Sequence, residues 1–178
     1  MNDLRDFNNA RTSEMFIMRH NWWKPYYELT DGQFLYGRLS YNGVFKRYAI
    51  IESVEGTFTI KRKSLIGRNM LLNKGEEETI GEMIPSIWKR DVGIQMNNGF
   101  EANYLFKKLF SRAYTLTSNS YGDLLEIKQV PFGIKKPFAI TFKNETYNTF
   151  KFDVPLLTMI GVHFMLYRQA QAAAAGAS

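Results

Sequence analysis

The residues of this chain best suited to chemistry are its cations. Lys61-Arg62-Lys63 form the densest basic run, and Arg68 follows closely. Lysine offers a point charge and arginine a flat two-pronged donor, so together they suit a phosphate. Lys89 and Arg90 stand directly after Trp88 and join charge to a large aromatic. These six residues are the candidate anion-binding set. The plainer alternative for the first run is a solvated strand end whose lysines discourage edge pairing. Trp88, close to Pro85, either sits in a loop that touches a membrane or packs on the core with the charges in the following turn. The packed arrangement is the more ordinary one for tryptophan. Trp22-Trp23 reads the same way.

Nothing else in the chain reads as catalytic. There are two histidines, His20 and His163, and no cysteine. Thiolate chemistry, disulfides, Cys-bound zinc and palmitoylation are therefore excluded. No His-x-x-x-His or His-Glu pairing is present, nor a nucleophile elbow, a dinucleotide fingerprint or a phosphate-binding loop. Glu76-Glu77-Glu78 lacks the Asp/Asn alternation of a calcium loop and reads as a solvated turn. His163 lies among apolar residues and reads as a neutral core histidine with one hydrogen bond to its surroundings. The expectation is a protein that is not an enzyme, with no cofactor and no metal.

The net charge is +6, and the excess is uneven. Residues 46–136 hold fifteen Lys/Arg against ten Asp/Glu, whereas residues 1–45 hold five of each. An anionic partner is compatible with this balance. A nucleic acid is not the expected one, because no recognition helix, zinc-finger spacing or RNP-like strand is visible. The N-terminus has no apolar stretch of signal-peptide length, so a cytoplasmic protein is expected.

The elements that must position these cations are mostly strands. Short runs rich in aromatic and β-branched residues alternate with the turn dipeptides Asp31-Gly32, Asn42-Gly43, Glu55-Gly56, Lys74-Gly75, Asn98-Gly99 and Gly122-Asp123. Strands are predicted over 26–29, 33–40, 47–53, 57–62, 70–73, 79–84, 92–96, 100–106, 113–117, 124–130, 138–143 and 146–152. Residues 1–13 are polar and read as a tail or short helix outside the core. The final element is a helix over about 154–170, with Asp153 as its cap and Pro155 in its first turn. It has no polar face, so its surroundings must be apolar on every side. The apolar run is short for a bilayer span, which needs roughly 20 residues. At 1.5 Å per residue it is about 20 Å long, the height of a six-residue strand. A barrel that encloses a helix needs about eleven or twelve strands. The predicted fold is a mainly β, closed antiparallel barrel of about twelve strands around a buried C-terminal hydrophobic helix. It is one domain over 14–170, followed by an Ala-rich tail over 171–178. The competing reading is a tail anchor over the same apolar run.

Such a barrel resembles the tubby C-terminal-like superfamily, which includes the tubby, LURP-one-related and phospholipid scramblase-like proteins. The resemblance rests on Trp23–Gly32 as opening hairpin, Thr79–Ile84 with Trp88 as mid-barrel strands, and Pro155–Tyr167 as the threaded helix. It implies a binding module that docks to anionic phospholipid head groups at the cytoplasmic membrane face. The chain lacks the cysteine cluster by which scramblases are acylated, and no lipid-binding residue of the tubby proteins is carried over. The alternative is a protein-interaction or regulatory scaffold without lipid affinity. One coherent basic face would favour the first, and scattered cations the second.

Overall fold

The computed structural model describes residues 4–10, 12, 14–43, 48–64, 66–107, 112–143 and 153–176. Twelve strands form a closed antiparallel barrel: β1 (Glu14–His20), β2 (Tyr26–Thr30), β3 (Leu35–Asn42), β4 (Tyr48–Ser53), β5 (Gly56–Arg62), β6 (Met70–Lys74), β7 (Glu78–Pro85), β8 (Val92–Met96), β9 (Glu101–Lys107), β10 (Ala113–Ser118), β11 (Gly122–Gln129) and β12 (Phe138–Phe142). Each pairs with its sequence neighbours, and β12 closes on β1 through registers such as Ile17↔Phe138. The six turn glycines, Gly32, Gly43, Gly56, Gly75, Gly99 and Gly122, all adopt positive φ, the conformation that tight hairpins demand.

The helix α1 (Val154–Gly176) threads this wall. Every residue from Val154 to Met165 is buried. Its neighbours lie on opposite sides of the barrel. A Cβ on Gly37 of β3 would meet Pro155 at 3.3 Å, while a Cβ on Gly161 would lie 2.3 Å from Ile127 Cδ1 of β11 and 2.8 Å from the Tyr104 ring of β9. Tyr104 Oη donates to the Leu157 carbonyl oxygen at 2.5 Å, and Tyr41 Oη and His163 Nδ1 are hydrogen-bonded at 3.2 Å. His163 is thus tied to the wall, as the sequence suggests. At the other end of the helix Asp153 Oδ1 accepts from Leu156 N at 2.9 Å, and Ser53 donates to its second oxygen. Alternating residues of the strands, such as Leu39, Ile51, Ile60, Leu72 and Ile94, complete a core with the helix at its centre. The protein itself solvates the apolar run, which excludes the tail-anchor reading. Among the described residues no helix is long and apolar enough to cross a membrane.

Three expectations change, and one lies outside the described residues. Glu14–His20 is a strand that the alternation hid, because its outward residues Phe16 and Met18 are apolar too. The predicted strand over 146–152 lies outside the described residues. The N-terminal segment is not clear of the core: Phe7, in a 3-10 turn, is buried edge-on against Tyr36 and Phe142. The helix also runs past 170 to Gly176, its last eight residues exposed.

Candidate functional site

Antiparallel closure gives the barrel two unlike ends. Loops after even-numbered strands are two to four residues long, up to β10, and those after odd-numbered strands are five to eight. Function gathers in the longer loops of a rigid scaffold. The helix leaves the barrel at the long-loop end, where Arg62 Nη2 of β5 donates to Tyr167 Oη at 2.9 Å.

Charge divides the same way. The described long loops carry Lys24, Lys63, Arg68, Lys89, Arg90, Arg112, Lys135 and Lys136 against a single acid, Asp91. Asp91 is occupied, accepting from Phe106 N at 2.8 Å. The short loops carry Asp31, Glu55, Glu76 and Glu77 and no cation, with Asp153 at the helix start and Lys143 after β12 at the same end. Hydrogen bonds from the Gln33 and Phe34 amides and from Tyr36 outweigh desolvation and hold the Asp31 carboxyl below its ordinary value. Burial raises that of Asp153, partly offset by Ser53 and the Leu156 amide.

Two cavities flank the emerging helix. One, of about 520 Å³, is lined by Arg62, Arg68, Lys89, Arg90 and Arg168 over a floor of Met70 and Phe164. The other, of about 530 Å³, adds Arg112 and shares Arg90 and Arg168. Together they form a moat that, among the described residues, has six cations and no carboxylate in its lining. None of the six ion-pairs with an acid among the described residues. Arg90 lies over the Phe106 ring at 5.2 Å, and Tyr114 donates to the Arg90 carbonyl at 2.6 Å. Burial, the leading cause, pushes the Tyr114 hydroxyl up to about 12, against the pull of Arg168, so it stays a neutral donor.

Of the six sequence-derived candidates, Arg62, Arg68, Lys89 and Arg90 converge on this moat. Strand alternation separates Lys61 and Lys63 from them. Phe58 and Ile60 of β5 point inward, and so does Arg62 at the rim, whereas Lys61 and Lys63 turn outward. Lys61 Nζ donates to the Glu76 carbonyl at 2.8 Å, and Lys63 Nζ pairs with Glu82 at 2.8 Å. The hydrogen bonds from Lys63 and Asn69 lower the Glu82 carboxyl below its ordinary value. Arg112 and Arg168 were not legible as members: one stands four residues past a lysine pair, the other at the helix exit.

The tryptophans correct an expectation. Trp22, Trp23 and Trp88 are exposed and not packed on the core. The barrel is a single wall already filled by α1, and among the described residues no outer layer covers side chains beyond the strand ends. Ile66, Ile87, Phe132 and Ile134 share this exposure and lie in the same set of long loops. Each of these loops is closed by its own hydrogen bonds. Asn21 Oδ1 accepts from Trp23 N at 3.0 Å. Lys63 N donates to Asn69 O at 2.9 Å, Ser86 N to Asp91 O at 2.9 Å, and Val130 N to Pro137 O at 2.9 Å.

No family model, curated protein or solved structure matches the chain.

Proposed function

We propose that this protein is a non-enzymatic module that docks, long-loop end first, on anionic phospholipid head groups at the cytoplasmic face of a membrane. The observation that carries the proposal is the moat: Arg62, Arg68, Lys89, Arg90, Arg112 and Arg168 beside the emerging helix, with no carboxylate among the described residues that line it. Guanidinium groups offer paired donors to phosphate oxygens, and cations beside an anionic leaflet gain about 1 kcal/mol each. The acidic residues of the short-loop end orient the molecule, since that end is repelled by the surface the other end seeks. Membership of the tubby C-terminal-like superfamily is part of the proposal and rests on the strand count and the threaded helix.

Co-sedimentation tests it. The protein should pellet with vesicles containing phosphatidylserine at low salt and remain in solution with pure phosphatidylcholine. Equal recovery from the two would remove the proposal. A second reading, a scaffold that binds a protein, draws on the exposed apolar loop residues. A protein that ignores both vesicle types but retains an acidic protein partner would establish it.

A further inference from the structure

The apolar residues of the long-loop end have an arrangement that electrostatic docking does not use. Going round the closed barrel, the loop between β11 and β12 and the loop between β1 and β2 are neighbours, and so are the loops between β5 and β6 and between β7 and β8. The first pair carries Phe132, Trp22 and Trp23, and the second carries Ile66 and Trp88. With twelve strands in the ring, these two pairs lie on opposite arcs. Between them stands the exposed helix end, which bears no charge after Arg168, and the cationic moat runs from the second pair, whose Ile66 and Trp88 line it, toward β11.

Exposure here is extreme: 99% for Ile66, 94% for Trp88 and 101% for Phe132. The backbone holds the tips in place. Among the described residues, Asn21 and Phe132 are the two non-glycines with positive φ, at 54° and 57°. For a residue as bulky as phenylalanine this conformation is costly, and such outliers gather at binding sites. Gly133 beside it is packed so tightly that a Cβ would lie 2.4 Å from the Lys136 carbonyl.

We infer that these apolar tips enter the interfacial layer of an anionic bilayer, so that the barrel stands upright on two opposed feet with the moat over the head groups. The inference rests on the docking reading of the same end and deepens it. Its occupant follows from the layout. Protein interfaces put apolar residues at the centre and polar ones at the rim. Here Ile66, Ile87 and Trp88 line the same cavity as the cations, and Trp22, Trp23 and Phe132 lie on the opposite arc. A lipid surface fits that arrangement, because phosphates meet the cations while the tips pass between head groups. Tryptophan favours that layer.

The three tryptophans of the chain all lie on the proposed feet, so intrinsic fluorescence reads the inference directly. With vesicles of phosphatidylcholine and phosphatidylserine, emission should shift to the blue, and lipids brominated near the head-group end of the acyl chain should quench it. Replacing Trp88→Ser or Phe132→Ser should weaken partitioning roughly tenfold each without changing the melting temperature. Co-sedimentation with unshifted, unquenched emission would overturn insertion and leave electrostatic docking standing. Failure to sediment would overturn both. Tryptophans buried by self-association in lipid-free solution would assign the feet to a second copy of the chain and overturn the inference.

Discussion

Gly161 of the helix faces Tyr104 of β9 so closely that a Cβ added to it would sit 2.8 Å from the ring. The ring cannot simply swing away, since its hydroxyl is bonded to the Leu157 carbonyl. The missing side chain lets helix and wall touch. An exposed helical glycine replaced by alanine gains about 1 kcal/mol, whereas overpacking a filled core costs about 1–3 kcal/mol. Gly161→Ala should therefore lower stability in a denaturant titration. A gain would mean that the helix does not lie inside the wall.

The helix start supplies a pH-dependent prediction. Burial raises the Asp153 carboxyl above its ordinary value of 3.8, so in the window upward from that value the folded state binds more protons than the unfolded one. This residue's contribution to stability then falls as pH rises through the window and is constant above it. Asp153→Asn keeps a capping oxygen but cannot ionise. Its stability relative to the parent should rise with pH across the window and then level off. Asp153→Ala cannot ionise either and also loses the cap, so it should lie about 1 kcal/mol below Asp153→Asn at every pH. Urea midpoints of the three proteins from pH 3 to pH 7 give the comparison.

Charge reversal separates the moat from the outer wall. Arg68→Glu with Arg90→Glu should weaken sedimentation with phosphatidylserine vesicles by tenfold or more, on the scale of about 1 kcal/mol per charge near the surface. Lys61→Glu with Lys63→Glu should have a much smaller effect, since these lysines face outward against Glu76 and Glu82. Equal losses from the two pairs would argue for diffuse attraction to net charge.

Truncation separates the buried and exposed parts of the helix. A chain ending at Arg168 keeps every buried helical residue and should unfold cooperatively near the parent temperature. A chain ending at Asp153 loses Leu156, Leu157, Ile160 and Phe164 from the core, at about 2–5 kcal/mol each. That exceeds the stability of an ordinary domain. Circular dichroism melts of the two proteins show which residues the barrel needs.

Much of the fold was legible because local chemistry and global shape agree. Each turn dipeptide supplied a glycine with positive φ, and the all-round apolar helix, short for a bilayer span, pointed to a core. β1 was harder, since Phe16 and Met18 break the contrast between faces and Phe16 is covered by Lys136 at 3.8 Å. The candidate site was half legible. A basic run shows where cations are dense, but adjacent strand residues face opposite ways, so Arg62 and its two neighbours cannot act together. The grouping of Arg62 with Arg90 and Arg168 depends on closure and on where the helix emerges. The feet were hidden because a tryptophan is normally buried, and only a wall already filled from within leaves it nothing to pack against.

The rod at the centre of this molecule is translated after every strand that surrounds it. A nascent chain can make hairpins as it leaves the ribosome, but their inner faces have no filling until the last segment appears. Closure itself waits for β12 to meet β1, across nearly the whole sequence. Until both have happened, the inward side chains of the strands lack the partner that buries them.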